Sequence, residues 1–133
     1  MIWLVLNLNR NGYKNKRMSY KALGLGALFF LLGQVIAWYQ TNGQFISVWM
    51  KDNPFWVSLV LGVPIGYSYI LGTQYTVEAF NGVLWPTRLL GFSMGILSFT
   101  ALTYLHLNEG LTLKTIITLC LAIAIVLIQV MWK

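Results

Sequence analysis

Four long apolar runs separated by short polar stretches organise the chain, at about 22–40, 54–74, 87–107 and 112–131. Each reaches the ~20 residues that a helix needs to cross ~30 Å of hydrocarbon. The pattern predicts an all-α polytopic membrane protein. Its four transmembrane helices form one small domain, residues 22–133, behind a basic interfacial segment, residues 1–21. Composition agrees: 58% of residues are hydrophobic and only 9% charged, too little polar surface to wrap a soluble core.

Polar and small residues inside the runs suggest which faces matter. The first run starts after Ser19, stays apolar to a break at Tyr39–Gly43, and carries Gln34 at its centre. On a 3.6-residue period Phe30, Gln34 and Trp38 share a face, with Ala27 and Leu31 alongside. A side-chain amide at this depth needs a partner in protein or in a wet cavity. In the second run Pro54 opens the helix where its missing N–H is harmless. Gly62 and Gly66 then form a close-approach face around Pro64, a proline able to kink the helix. Tyr67, Tyr69 and Tyr75 follow, as cavity lining or as an interfacial aromatic belt.

The 75–86 connection reaches water, and an ion pair between Glu78 and Arg88 is expected there. In the third run Gly91, Gly95 and Ser98 make a stripe for tight packing, while Thr100 and Thr103 can return their hydroxyls to backbone carbonyls. His106–Gly110 is a hairpin turn aided by Gly110. His106, Glu109 and Lys114 are read as headgroup-level residues, too few for a metal site. The fourth run contains no glycine, a Cys120 expected to pack, and a Gln129, Trp132, Lys133 anchor.

Charge orients the helices. Arg10, Lys14, Lys16, Arg17, Lys21, Arg88 and Lys133 fall on one side and only Lys51 and Lys114 on the other. The positive-inside rule therefore predicts both termini in the cytoplasm. The net charge of +6 is concentrated in the 10–21 segment without a nucleic-acid motif, so the expected partner is the bilayer, with anionic headgroups at that segment, and not nucleic acid. The opening MIWLVLNLNR has its apolar residues before its charges and is read as uncleaved, with Ile2, Trp3, Leu4 and Leu6 at the interface or against protein. The lone cysteine can form no internal disulfide. No Ser–His–Asp grouping, paired carboxylates, phosphate loop or CxxC is present, so neither an enzyme nor a cofactor or metal is expected.

The final hairpin, "YLHLNEGLTLKTIITLCLAIAIVLIQV", and the first-run stretch "GQVIAWYQ" resemble the drug/metabolite transporter superfamily, most closely its four-helix members such as the small multidrug resistance proteins. The resemblance spans about residues 20–131. It implies a small bundle with a polar residue in the first helix at the substrate site. An oligomer is expected because four helices enclose little space alone and the Gly62/Gly66 and Gly91/Gly95 faces invite further helix contacts, although the fourth run lacks the glycine of the family's usual dimer contact. Gln34 stands where those exporters carry a membrane glutamate, and an amide cannot exchange a proton near neutral pH. The expectation is a small transporter or facilitator of an organic solute, with cations and amides as candidates, not proton-coupled through the first helix. Gln34, Trp38, Tyr67 and Tyr69 are the expected substrate-binding residues, and Gly62, Gly66, Gly91 and Gly95 the expected packing residues. The alternative is a non-transporting membrane subunit or scaffold packed against partner chains, and a channel is a third reading. A bacterial-type inner (plasma) membrane is the expected location.

Overall fold

The computed structural model describes residues 18–131, all helix and connection, with no strand among them. Arg10, Lys14, Lys16, Arg17, the apolar N-terminal residues, Trp132 and Lys133 lie outside the described residues. Helix α1 is Tyr20–Asn42, and Ser19 caps it by accepting the Ala22 N–H at 3.3 Å. It runs past the expected break because Thr41 and Asn42 bond back to the carbonyls of Ala37 and Trp38. A single 3₁₀ turn, Gly43–Phe45, leads to a short helix that hydropathy did not disclose, α2, Val48–Asp52.

Helix α3, Pro54–Ala79, continues unbroken through Pro64 and past residue 74. In its last turns Thr76 is fully buried, its hydroxyl donating to the Gly72 carbonyl at 2.7 Å. A polar residue thus remains helical by satisfying itself on the backbone. Asn81 (φ 54°) and Gly82 (φ 85°) make the next turn in left-handed conformations, with the Gly82 N–H on the Val77 carbonyl at 2.8 Å. Helix α4, Leu84–Leu107, begins before residue 87 because Pro86 falls in the first turn, where no N–H is required. At its end Asn108 (φ 52°), not Gly110, adopts the left-handed cap, since a short amide side chain tolerates that region. Helix α5 is Leu113–Met131.

The four long helices, α1, α3, α4 and α5, are each long and apolar enough to cross a membrane. Their side-chain distribution suits lipid. Ser68, Thr76, Thr87, Ser93, Ser98 and Thr103 are buried, whereas Leu28, Val63, Phe92, Leu105 and many other large apolar residues are exposed. With no water outside to repel hydrocarbon, burial selects small residues that let backbones approach and polar ones that need partners.

Helix α1 packs most extensively on α3 and next on α4; α5 rests mainly on α4, with Ala122 as its one buried residue. The α1–α3 contact runs through glycines other than the expected pair. A Cβ on Gly26 would come within 3.0 Å of the Gly72 carbonyl and the Thr76 nitrogen, and one on Gly33 within 3.2 Å of Ser68. Gly72 in turn lies under the Phe30 ring. The α3 face that meets α1 is therefore Ser68, Gly72 and Thr76, spaced four residues apart. Gly62 makes only ordinary contact with Gln40, and Gly66 is exposed with nothing within 4 Å of a built Cβ. Spacing marks a small-residue face without saying whether a neighbour lies across it. Cys120 is exposed on α5, so it does not pack as expected.

Candidate functional site

Three successive turns of α1 place Phe30, Gln34 and Trp38 towards α4, and each is received differently. Phe30 is buried between Gly72 of α3 and Gly91 of α4. One turn on, Gln34 lies over Gly95 and its Nε2 donates to the Gly91 carbonyl at 3.2 Å. A further turn on, Trp38 is buried and its Nε1–H donates to the Thr103 hydroxyl at 3.0 Å. Gly91 and Gly95 leave the α4 backbone bare at this crossing, which is why an amide from α1 can reach a main-chain carbonyl there.

Next to Trp38, Tyr39 bonds through its hydroxyl to His106 Nε2 at 2.9 Å, and His106 Nδ1 is 3.2 Å from the Leu102 carbonyl. With Nδ1 donating to that carbonyl, Nε2 accepts from the tyrosine, a tautomer set by partners on both sides. The three rings form a cluster with centroids 5.2–5.4 Å apart. From sequence Thr103 is expected to bond its own backbone and His106 to sit at headgroup level; the structure makes both of them partners of α1 instead. Both follow from register, since Thr103 and His106 lie two and three turns beyond the Gly91–Gly95 stripe.

A cavity of about 560 Å³ opens between α1, α3 and α4, a size in the usual range for small-molecule sites. Its floor is Phe30 and Gln34, one wall is Tyr69 and Thr73 of α3, and the other is Thr87, Arg88 and Gly91 of α4. Tyr69 also tilts against Phe30, ring centroids 6.3 Å apart. A second, more open groove of about 520 Å³ lies between α4 and the start of α5, with Lys114, Thr115 and Thr118 on the α5 side. Gln34 and Phe92 line both spaces.

Of the residues expected at a substrate site, Gln34 and Tyr69 meet in the first cavity. Trp38 lines neither space, being committed to Thr103. Tyr67 is 63% exposed on the other side of α3, because residues two apart on a helix cannot share a face. No ion pair joins Glu78 to Arg88; the arginine lines the cavity instead, and Lys114 lines the groove. The carboxylates among the described residues, Asp52, Glu78 and Glu109, line neither space. No group of three His, Cys, Asp or Glu among the described residues is placed to hold a metal.

Compared with known proteins, the chain matches no family model, no curated protein and no solved structure.

Proposed function

We propose that the protein is a small membrane transporter or facilitator of the drug/metabolite transporter type, moving a small organic solute past Gln34. The observation that carries this reading is the position of that amide. Gln34 lines both the cavity bounded by Arg88 and the groove bounded by Lys114, and those two basic residues lie towards opposite ends of α4 and α5. A polar residue midway along α1, reachable from two spaces of this kind, suits a solute handed from one to the other. An amide exchanges no proton near neutral pH, and no carboxylate among the described residues lines either space, so movement runs downhill and not by proton exchange at Gln34.

In this proposal both termini face the cytoplasm of a bacterial-type inner membrane, and the basic N-terminal segment holds anionic headgroups. The wide uncovered face of α5 and the exposed Gly66 fit assembly as a homo-oligomer or with partner membrane chains. A second reading, a non-transporting subunit, draws on the bond from Gln34 to Gly91, which is interhelical glue whatever else the amide does.

Uptake by sealed proteoliposomes of a solute first found by thermal stabilisation of the purified protein separates the two. A transporter gives stabilisation by mass action and flux, both reduced by Gln34→Leu. A subunit gives neither while remaining folded.

A further inference from the structure

We infer that the solute accepted by this site carries a carboxylate, held by the Arg88 guanidinium together with the hydroxyls of Tyr69 and Thr73. The inference rests on reading the cavity as a solute site and concerns the chemistry of its occupant.

The cavity is rich in donors that have no acceptor among the described residues. Arg88 forms no ion pair among the described residues, although it is lined up with the cavity and not with Glu78. Tyr69 Oη and Thr73 Oγ1 make no hydrogen bond among the described residues, whereas Thr76, one turn further on, returns its hydroxyl to the backbone at 2.7 Å. Tyr69 and Thr73 are four residues apart on α3 and so line one wall of the cavity, across from the α4 wall that holds Arg88. The Gln34 amide has one N–H committed to Gly91 and a second left over.

Depth orders these groups. At ~1.5 Å per residue Arg88 lies ~6 Å along α4 from its start, Thr73 ~9 Å and Tyr69 ~15 Å from the adjoining end of α3. A charged group entering from this end meets a fork of five N–H donors first and neutral donors after it, with the Phe30 ring and the Gln34 amide at the floor. That sequence suits a molecule with an anionic head and an uncharged body.

Charge excludes the other classes. An organic cation would approach a guanidinium with no carboxylate in the lining to offset it, and a neutral amide would leave that guanidinium unpaired. The second groove repeats the sign: its charged residue is Lys114, again without an acidic neighbour in the lining. Both spaces that reach Gln34 are thus marked with positive charge, as a route for an anion requires.

An oxyanion could also come from a lipid headgroup, and the test separates the sources. The purified full chain is unfolded thermally in lipid-free detergent micelles with benzoate, benzamide and benzylammonium, and with succinate, succinamide and an alkyl diamine of the same length. At least one carboxylate is expected to stabilise saturably while its amide and amine counterparts do not. Arg88→Gln should then weaken apparent affinity by about tenfold or more, with Arg88→Lys retaining part of it. Tyr69→Phe and Thr73→Val should each cost about two- to fivefold. Lys51→Gln, outside both spaces, should change nothing. If an amine or amide binds as tightly as its carboxylate and Arg88→Gln is indifferent, the site stands and its anion preference is overturned. If both series are silent, the solute site and its chemistry fall together. Stabilisation by phosphatidylglycerol vesicles that depends on Arg88, with every carboxylate silent in micelles, would make Arg88 a headgroup anchor and overturn the inference.

Discussion

Gln34 donates to the main-chain carbonyl of Gly91 at 3.2 Å, and it can do so because Gly95, one turn along α4, offers no side chain in the way. A Cβ built on Gly95 would stand 2.8 Å from Gln34 Nε2 and 3.0 Å from its Cδ. Gly95→Ala should therefore push the amide off the carbonyl without disturbing either backbone. The expected stability loss is small, ~0.6 kcal/mol, the usual worth of an interhelical hydrogen bond in a membrane. Solute binding should nonetheless weaken as it does for Gln34→Leu. Thermal unfolding with and without solute reads both, and a Gly95→Ala protein that binds normally would detach the amide from the site.

The glycines of α1 and α3 divide into those that a neighbour covers and those that none does. At Gly26 an added Cβ meets backbone atoms of α3 at 3.0 Å, which cannot swing aside, so Gly26→Ala should cost ~1–3 kcal/mol. At Gly66 nothing lies within 4 Å, and Gly66→Ala should be neutral in the isolated chain. Gel filtration in mild detergent extends the test: if Gly66 meets another copy, the alanine variant should loosen the oligomer while the monomer remains as stable as before.

Thr103 supplies the acceptor for a buried indole. Thr103→Val keeps the shape and removes the oxygen, leaving the Trp38 N–H without a partner at a cost of ~1–3 kcal/mol. Thr103→Ser should recover most of this, and in a double-mutant cycle Trp38→Phe should make the valine change nearly silent. Additive losses would mean that the bond contributes nothing.

Ser93 gives the opposite expectation. It is fully buried and its hydroxyl has no hydrogen-bond partner among the described residues, so Ser93→Ala removes an unsatisfied group and should be neutral or stabilising by up to ~1 kcal/mol. A loss of similar size on thermal unfolding would reveal a partner outside residues 18–131.

Hydropathy located the four long helices to within a few residues because a spanning segment must be apolar along its length, whatever it touches. The Phe30, Gln34 and Trp38 face was legible for a similarly local reason, the helical period. What hydropathy could not mark is which side of a helix meets a neighbour, because α1, α3 and α4 are apolar nearly all round. Gly26, Gly33 and Gly72 are covered and Gly66 is not, yet all stand in apolar sequence. Tyr67 and Tyr69 were separated by two residues and hence by the helix itself. Arg88 lay within reach of Glu78 in sequence, but its place on α4 brings it to the cavity wall, and only the α1–α3–α4 arrangement shows that. The bonds from Trp38 to Thr103 and from Tyr39 to His106 each join residues more than sixty positions apart.

The charge of the solute can be read from a single substitution at the floor of the cavity. Gln34→Glu replaces the amide with a carboxyl of nearly the same shape, in the cavity that Arg88 lines. At high pH the introduced group is ionised; it repels an anionic solute and competes for Arg88. As pH falls through its titration the charge is lost, and anion binding should recover towards the level of the unaltered protein. An organic cation would behave in reverse, binding best at high pH and being released by acid. A sulfonate analogue, which stays ionised throughout, keeps the titration of the solute out of the measurement, and the unaltered protein supplies the background at each pH. Recovery of sulfonate binding in acid, confined to Gln34→Glu, is the expected outcome. Recovery of amine binding at high pH would assign the cavity to cations. A flat profile for both, with the new carboxyl shown by infrared spectroscopy to titrate, would remove Gln34 from contact with any charged solute.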